Sequence, residues 1–181
     1  MKRKIMEELS IPDGVSSSLN GTTFTVSKGS ASVTRQINLP TIDITIKGNT
    51  ILFNVEKGNK NELKYIKSAI AHIKNMFFGL DNKYIYRLEA VNVHFPMTLK
   101  VDKGFLLITN FLGEKIPRKA KIMPNVEIDL KGAKITLSSH DLEAAGETAT
   151  NIEKATKIRN RDRRIFQDGI FITEKPTGVK Q

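Results

Sequence analysis

Two stretches, IDITIKGNTILFNV (42–55) and VEIDLKGAKITL (126–137), carry one pattern twice, and that repetition constrains the fold more than anything else. In the first, Ile42, Ile44 and Ile46 alternate, the chain turns at Lys47-Gly48-Asn49, and Ile51, Phe53 and Val55 return. In the second, Val126, Ile128 and Leu130 alternate, Lys131-Gly132 turns, and Ile135 and Leu137 return. Period-2 alternation broken by glycine predicts a hairpin with one face buried. A helical pattern follows each. NELKYIKSAIAHIKNMFFGL (61–80) repeats Leu63, Ile66, Ile70, Ile73 and Phe77 at three- and four-residue steps, with Asn61 placed to cap it and Gly79 to end it. HDLEAAGETATNIEKATKI (140–158) carries Ala145, Ala149, Ile152 and Thr156 on one stripe, weakened by Gly146. Upstream lie two more strand pairs bent at Lys-Gly, FTVSKGSASVT (24–34) and LKVDKGFLLIT (99–109). The expected architecture is α+β: two tandem similar domains, each an antiparallel β-sheet with one packed α-helix. The seam falls near Asp81 to Tyr84, giving domains 1–82 and 83–181.

Composition narrows the function. The chain has no cysteine, which excludes disulfides, thiolate nucleophiles and Cys-ligated zinc. No apolar run reaches the roughly 20 residues a membrane helix needs, and MKRKIMEELSIPDG has no apolar core for a secretory signal. A cytoplasmic protein is expected, so Asn20-Gly21-Thr22 reads as a tight turn and not as a glycosylation site. Lys and Arg number 29 against 19 Asp and Glu, a net charge of +10. That balance favours a polyanionic partner, because each neutralised phosphate releases counterions.

Catalytic patterns are hard to find. His72, His94 and His140 are far apart, and each has a plain structural role: surface or core edge, hydrogen-bonded in VHFPM, and near a helix start. HExxH, GxxxxGK[ST], GxGxxG and GxSxG are all missing. No histidine lies near Ser16, Ser17 and Ser18 in sequence. No cofactor or metal is expected, and the chain reads as a non-enzyme.

The charge distribution is more informative. Residues 1–83 hold 12 basic and 7 acidic side chains and residues 84–181 hold 17 and 12, so each half carries +5. Within the second half, Lys154, Lys157, Arg159, Arg161, Arg163 and Arg164 face only Asp162, and EKIPRKAK (114–121) has four cations against Glu114. Arg159, Arg161 and Arg163 would share one side of an extended segment, with guanidinium forks suited to phosphate. Pro117 argues for a loop around the other window. In NRDRRIFQDGIF (160–171), Asp162 is expected to pin a neighbouring arginine. Asp168-Gly169 is expected to turn the chain, and Phe166 and Phe171 either to pack or to stack on a base. The same stretch leaves open a second reading, a metal-dependent RNA-processing enzyme using Asp162 and Asp168. A third is a repeat protein that binds other proteins through its sheet faces.

HFPM (94–97), NFLGEKIPRKAKI (110–122), TATNIEKAT (148–156) and RNRDRRIFQDGIFI (159–172) closely resemble the universal large-subunit ribosomal protein L-six family, in its archaeal and eukaryotic form. IPDGV (11–15) and AHIKNMFFG (71–79) match as well, in the correct order along nearly the whole chain. One stretch departs: SKGSASVTRQI stands where the family more often has a Gly-Pro-Lys-Gly turn. The resemblance implies two tandem α+β domains. It also implies a structural role in the large ribosomal subunit of the cytoplasmic ribosome, on large-subunit rRNA near the sarcin–ricin loop. The partners it implies are that rRNA, neighbouring large-subunit proteins and nearby translational GTPases, with no membrane. Carried over by position, it points to Lys115, Arg118, Lys119 and Lys121 in one loop. In the other it points to Lys157, Arg159, Arg161, Arg163 and Arg164, with Lys175 in an extended tail.

Overall fold

A computed structural model describes residues 3–39 and 41–176 of the chain. The described chain divides into two compact units, with the change from one to the other between Asn82 and Lys83. In the first unit, strands β1 (Arg3–Ser10), β2 (Ser16–Asn20), β3 (Thr23–Lys28), β4 (Ala31–Gln36), β5 (Asp43–Lys47) and β6 (Thr50–Gly58) precede helix α1 (Lys60–Asp81). They form two antiparallel sheets, ordered β1-β6-β5 and β2-β3-β4, where one sheet per domain was expected. Alternation explains the burial. Phe24 and Val26 of β3 and Ile51 and Phe53 of β6 are inaccessible or nearly so, and Ile66, Ile73 and Phe77 of α1 close over them. Each such side chain contributes about 1.5–3 kcal/mol by leaving water.

In the second unit, β7 (Tyr84–Val91), β8 (Thr98–Asp102), β9 (Phe105–Thr109), β10 (Arg118–Lys121), β11 (Glu127–Lys131) and β12 (Lys134–Ser139) precede α2 (Leu142–Ala155) and a final strand, β13 (Gly169–Glu174). The sheets are β11-β12-β7-β13 and β10-β9-β8. Leu106, Ile108, Ile135, Leu137 and Ile170 from the strands meet Ala149 and Ile152 of α2 in a separate core. Matching β1–β6 with β7–β12 and α1 with α2 superposes the two strand orders, and β13 is an addition on the free side of β7.

This correspondence corrects the alignment of the two Lys-Gly turns. Lys28-Gly29 joins β3 to β4, whereas Lys103-Gly104 joins β8 to β9, the equivalent of the Asn20–Thr23 turn between β2 and β3. The counterpart of the tight Gly29 turn (φ 59°) is therefore the long connection 110–117 between β9 and β10. Helix ends also differ from expectation. Asn59 caps α1, its side chain accepting from the Asn61 N–H at 2.6 Å while Glu62 accepts from the Asn59 N–H at 2.8 Å. The helix runs on past Gly79 to Asp81. Asp141 caps α2, its side chain accepting from the Glu143 N–H at 2.8 Å.

Candidate nucleic-acid interface

The two segments that the second unit has and the first lacks are the 110–117 connection and the 156–168 connection leading to β13. The basic windows lie on these connections and on the ends of β10 and α2 beside them, and both connections bend sharply. Asn110 (φ 58°), Leu112 (φ 49°) and Gly113 (φ 78°) turn the first around a single 3₁₀ turn, and Asn160 (φ 57°) turns the second. Left-handed backbone at a leucine costs of order 1–3 kcal/mol, held here by the packing of buried Phe111 beside it.

The folded chain brings the windows together. Arg118, Lys119, Lys157, Arg159 and Arg161, with Lys154 in the last turn of α2, line one depression of about 440 Å³. Glu114, Leu112, Ala155 and Ile158 complete its walls. Arg163 lies in an adjoining groove of about 800 Å³, which shares Lys154, Lys157 and Ile158 with the first. Lys115, Lys121, Arg164 and Lys175 line neither depression, though all four are exposed. Lys154 completes the cationic wall and was absent from the carried-over set. Its signal is its place at the start of the 154–164 basic window, and the fold sets it in the last turn of α2.

Several local expectations change. Arg118, Lys119 and Lys121 belong to β10, paired with β9, and only Lys115 sits in the loop. Segment 159–164 is not extended. The Ile165 and Phe166 N–H groups both donate to the Asp162 carbonyl, at 3.2 and 3.0 Å, making a turn that ends the expected alternation of arginines. Asp162 does pin an arginine, Arg164, whose Nη2 donates to it at 2.8 Å. The Arg164 side chain and N–H together hold that carboxylate below its usual range, and the pair holds the Arg164 guanidinium above its own. Arg161 lies over the Phe166 ring, 4.8 Å from its centroid, a cation–π geometry.

Asp168-Gly169 is not a turn, because Gly169 begins β13 and Asp168 is 2% exposed. Its Oδ1 accepts from the N–H groups of Val93 and His94 at 2.8 and 2.9 Å, and its Oδ2 meets His94 Nδ1 at 2.6 Å. Burial pushes the Asp168 pKa up, but these bonds from His94 and Val93 outweigh it and hold it at about 2. His94 also stacks on Phe166, centroids 5.0 Å apart, so the Phe166 ring meets both a histidine and an arginine. Among the described residues no three His, Asp or Glu side chains gather in a way that could hold a metal ion. Of the expected extended tail, Thr177–Gln181 lie outside the described residues, and Lys175 follows β13 on the surface.

Against known proteins, residues 95–169, which hold both windows, match the family model described as Ribosomal protein L6. The chain is 38% identical to the large ribosomal subunit protein uL6 of Haloarcula marismortui, over 93% of this chain and 95% of that one. It is 38% identical to that of Methanobrevibacter smithii over 94% and 96%. With that of Methanospirillum hungatei the figures are 39%, 92% and 95%.

Proposed function

From the premise that this chain belongs to the ribosomal protein L6 family of the large ribosomal subunit, we propose that its second unit grips large-subunit rRNA. The chain is a structural component of the large subunit of the cytoplasmic ribosome and not an enzyme. One observation carries the rRNA reading: two basic windows, distant in sequence, converge on one concave cationic surface. Lys119, Lys157, Arg159 and Arg161 are the contacts proposed there, with Lys154 beside them and Arg163 in the adjoining groove. Lys115, Lys121, Arg164 and Lys175 are exposed and extend the proposed footprint. Guanidinium forks and lysines on a rigid frame suit the irregular backbone of a folded RNA. The sarcin–ricin region, beside the docking site of translational GTPases and among other large-subunit proteins, is the location that the family resemblance suggests.

The protein should co-sediment with large subunits in a sucrose gradient at physiological salt. Recovery only from the free soluble pool of growing cells would sink the proposal. Binding to large-subunit rRNA should fall steeply with salt, by roughly 10³–10⁵ between about 50 and 200 mM for six to ten phosphate contacts. Replacing Arg161, Arg163 and Arg164 with alanine should weaken binding and flatten that slope, and an unchanged slope would exclude them from the interface. The metal-dependent alternative loses its ligands. Asp168 is committed to Val93 and His94, and Asp162 to Arg164.

A further inference from the structure

We propose that Arg118, although it stands in a basic window, holds no phosphate. It is a positioning residue that, with Glu114, clamps the 110–117 connection to the end of α2 and so sets the spacing of the cations that do. The inference rests on the rRNA-binding reading above.

Arginine has five N–H donors in a fixed fork. Arg118 Nε and Nη2 donate to the two carboxylate oxygens of Glu114 at 2.7 and 2.6 Å. Its Nη1 donates to the Ala155 carbonyl at 2.8 Å and to the Lys157 carbonyl at 3.4 Å. The face that RNA would engage bidentately is thus filled by a carboxylate. One flat side of the guanidinium lies 4.2 Å from the centroid of the buried Phe111 ring. Carbonyls leaving a helix C-terminus lack intrahelical partners and favour a cation, which gives Arg118 a second reason to stay.

Glu114 is otherwise hard to explain. An acid in the wall of a phosphate-binding surface repels its ligand, yet this one is kept ionised. Its hydrogen bond to Arg118 lowers its pKa against the cost of burial, with further help from the charges of Arg118 and Arg161. As an anchor it has a purpose: it ties Arg118 to the loop while Arg118 ties the loop to Ala155 and Lys157. Lys119, Lys157, Arg159 and Arg161 are then held around a single depression.

The test measures binding of the full chain to a large-subunit rRNA transcript and to an RNA duplex of unrelated sequence, with thermal melting of each variant. E114Q adds one unit of positive charge. It should nevertheless bind the rRNA transcript roughly 3- to 10-fold more weakly, while binding the unrelated duplex at least as tightly as the parent. R118Q should lose a similar factor on the transcript, and the double variant should be no worse than the weaker single one, as members of one clamp must be. Unchanged or tighter transcript binding by E114Q, weaker binding to both RNAs, or additive losses in the double variant would each overturn the clamp. A parent protein with no preference for the transcript would instead overturn the rRNA reading itself.

Discussion

At the scale of single residues, Asp168 has the largest consequence. It is buried, charged and satisfied by atoms about 75 positions away, so it ties the second basic connection to the loop before β8. Its pKa is depressed to about 2, below the ordinary carboxylate value near 3.9. A depressed carboxylate contributes stability above the unfolded pKa and loses it as pH falls through the folded one. The Asp168 contribution should therefore be complete above about pH 5 and disappear between about pH 4 and 2. Urea unfolding at pH 7 should show Asp168→Asn to be less stable by about 2 kcal/mol. The gap should narrow on acidification, and a constant gap down to pH 2 would mean the carboxylate charge contributes nothing. The sequence suggested a turn at Asp168-Gly169 because that dipeptide is a frequent turn former. Nothing local marks the backbone donors of Val93 and His94 as its partners. His94, by contrast, was legible in VHFPM as a hydrogen-bonded residue, and its Nδ1 meets Asp168.

At the scale of elements, alternation and three-to-four spacing located the repeated hairpins and both helices, because burial of one face imposes those periods directly. The ends were less legible. Asn59 and Asn61 are both competent caps by residue type, and only backbone geometry decides between them. Asn59→Ala should cost about 1 kcal/mol in thermal or chemical unfolding, and Asn61→Ala well under half of that. Equal costs would place the cap elsewhere. The isolated Gly146 in α2 has a tertiary reason as well: a Cβ there would meet the Tyr86 hydroxyl at 2.9 Å. Gly146→Ala should accordingly fail to deliver the stabilisation of ~1 kcal/mol that helix propensity alone would give. A clear rise in melting temperature would show that Tyr86 simply moves aside.

At the scale of the whole molecule, each unit has its own apolar core, built from its own strands and helix. Both halves carry the same net charge, yet both basic windows fall in the second. We expect residues 83–181, expressed alone, to fold and to bind large-subunit rRNA with nearly the salt slope of the full chain, whereas residues 1–82 should fold without binding it. Filter binding across a salt series checks this. Comparable rRNA affinity for the first unit would remove the special role of the two added connections. The structure also locates the difference between the units: a tight turn in one becomes an eight-residue connection in the other, and a helix that ends one unit is followed in the other by β13.

Periodicity along the chain pointed to a duplicated α+β plan, the distribution of charge marked two basic windows, and short motifs carried the resemblance to one ribosomal family. Each is a property of neighbours in sequence, where burial and charge leave a local trace. Only the tertiary structure decided that the windows share one depression, that Asp168 is a buried tie, and that Arg118 turns inward to Glu114 and the end of α2. Those outcomes depend on hydrogen bonds and packing between residues tens of positions apart. An arginine that grips phosphate and one that grips a carboxylate and two carbonyls are the same letter until the chain has folded around them.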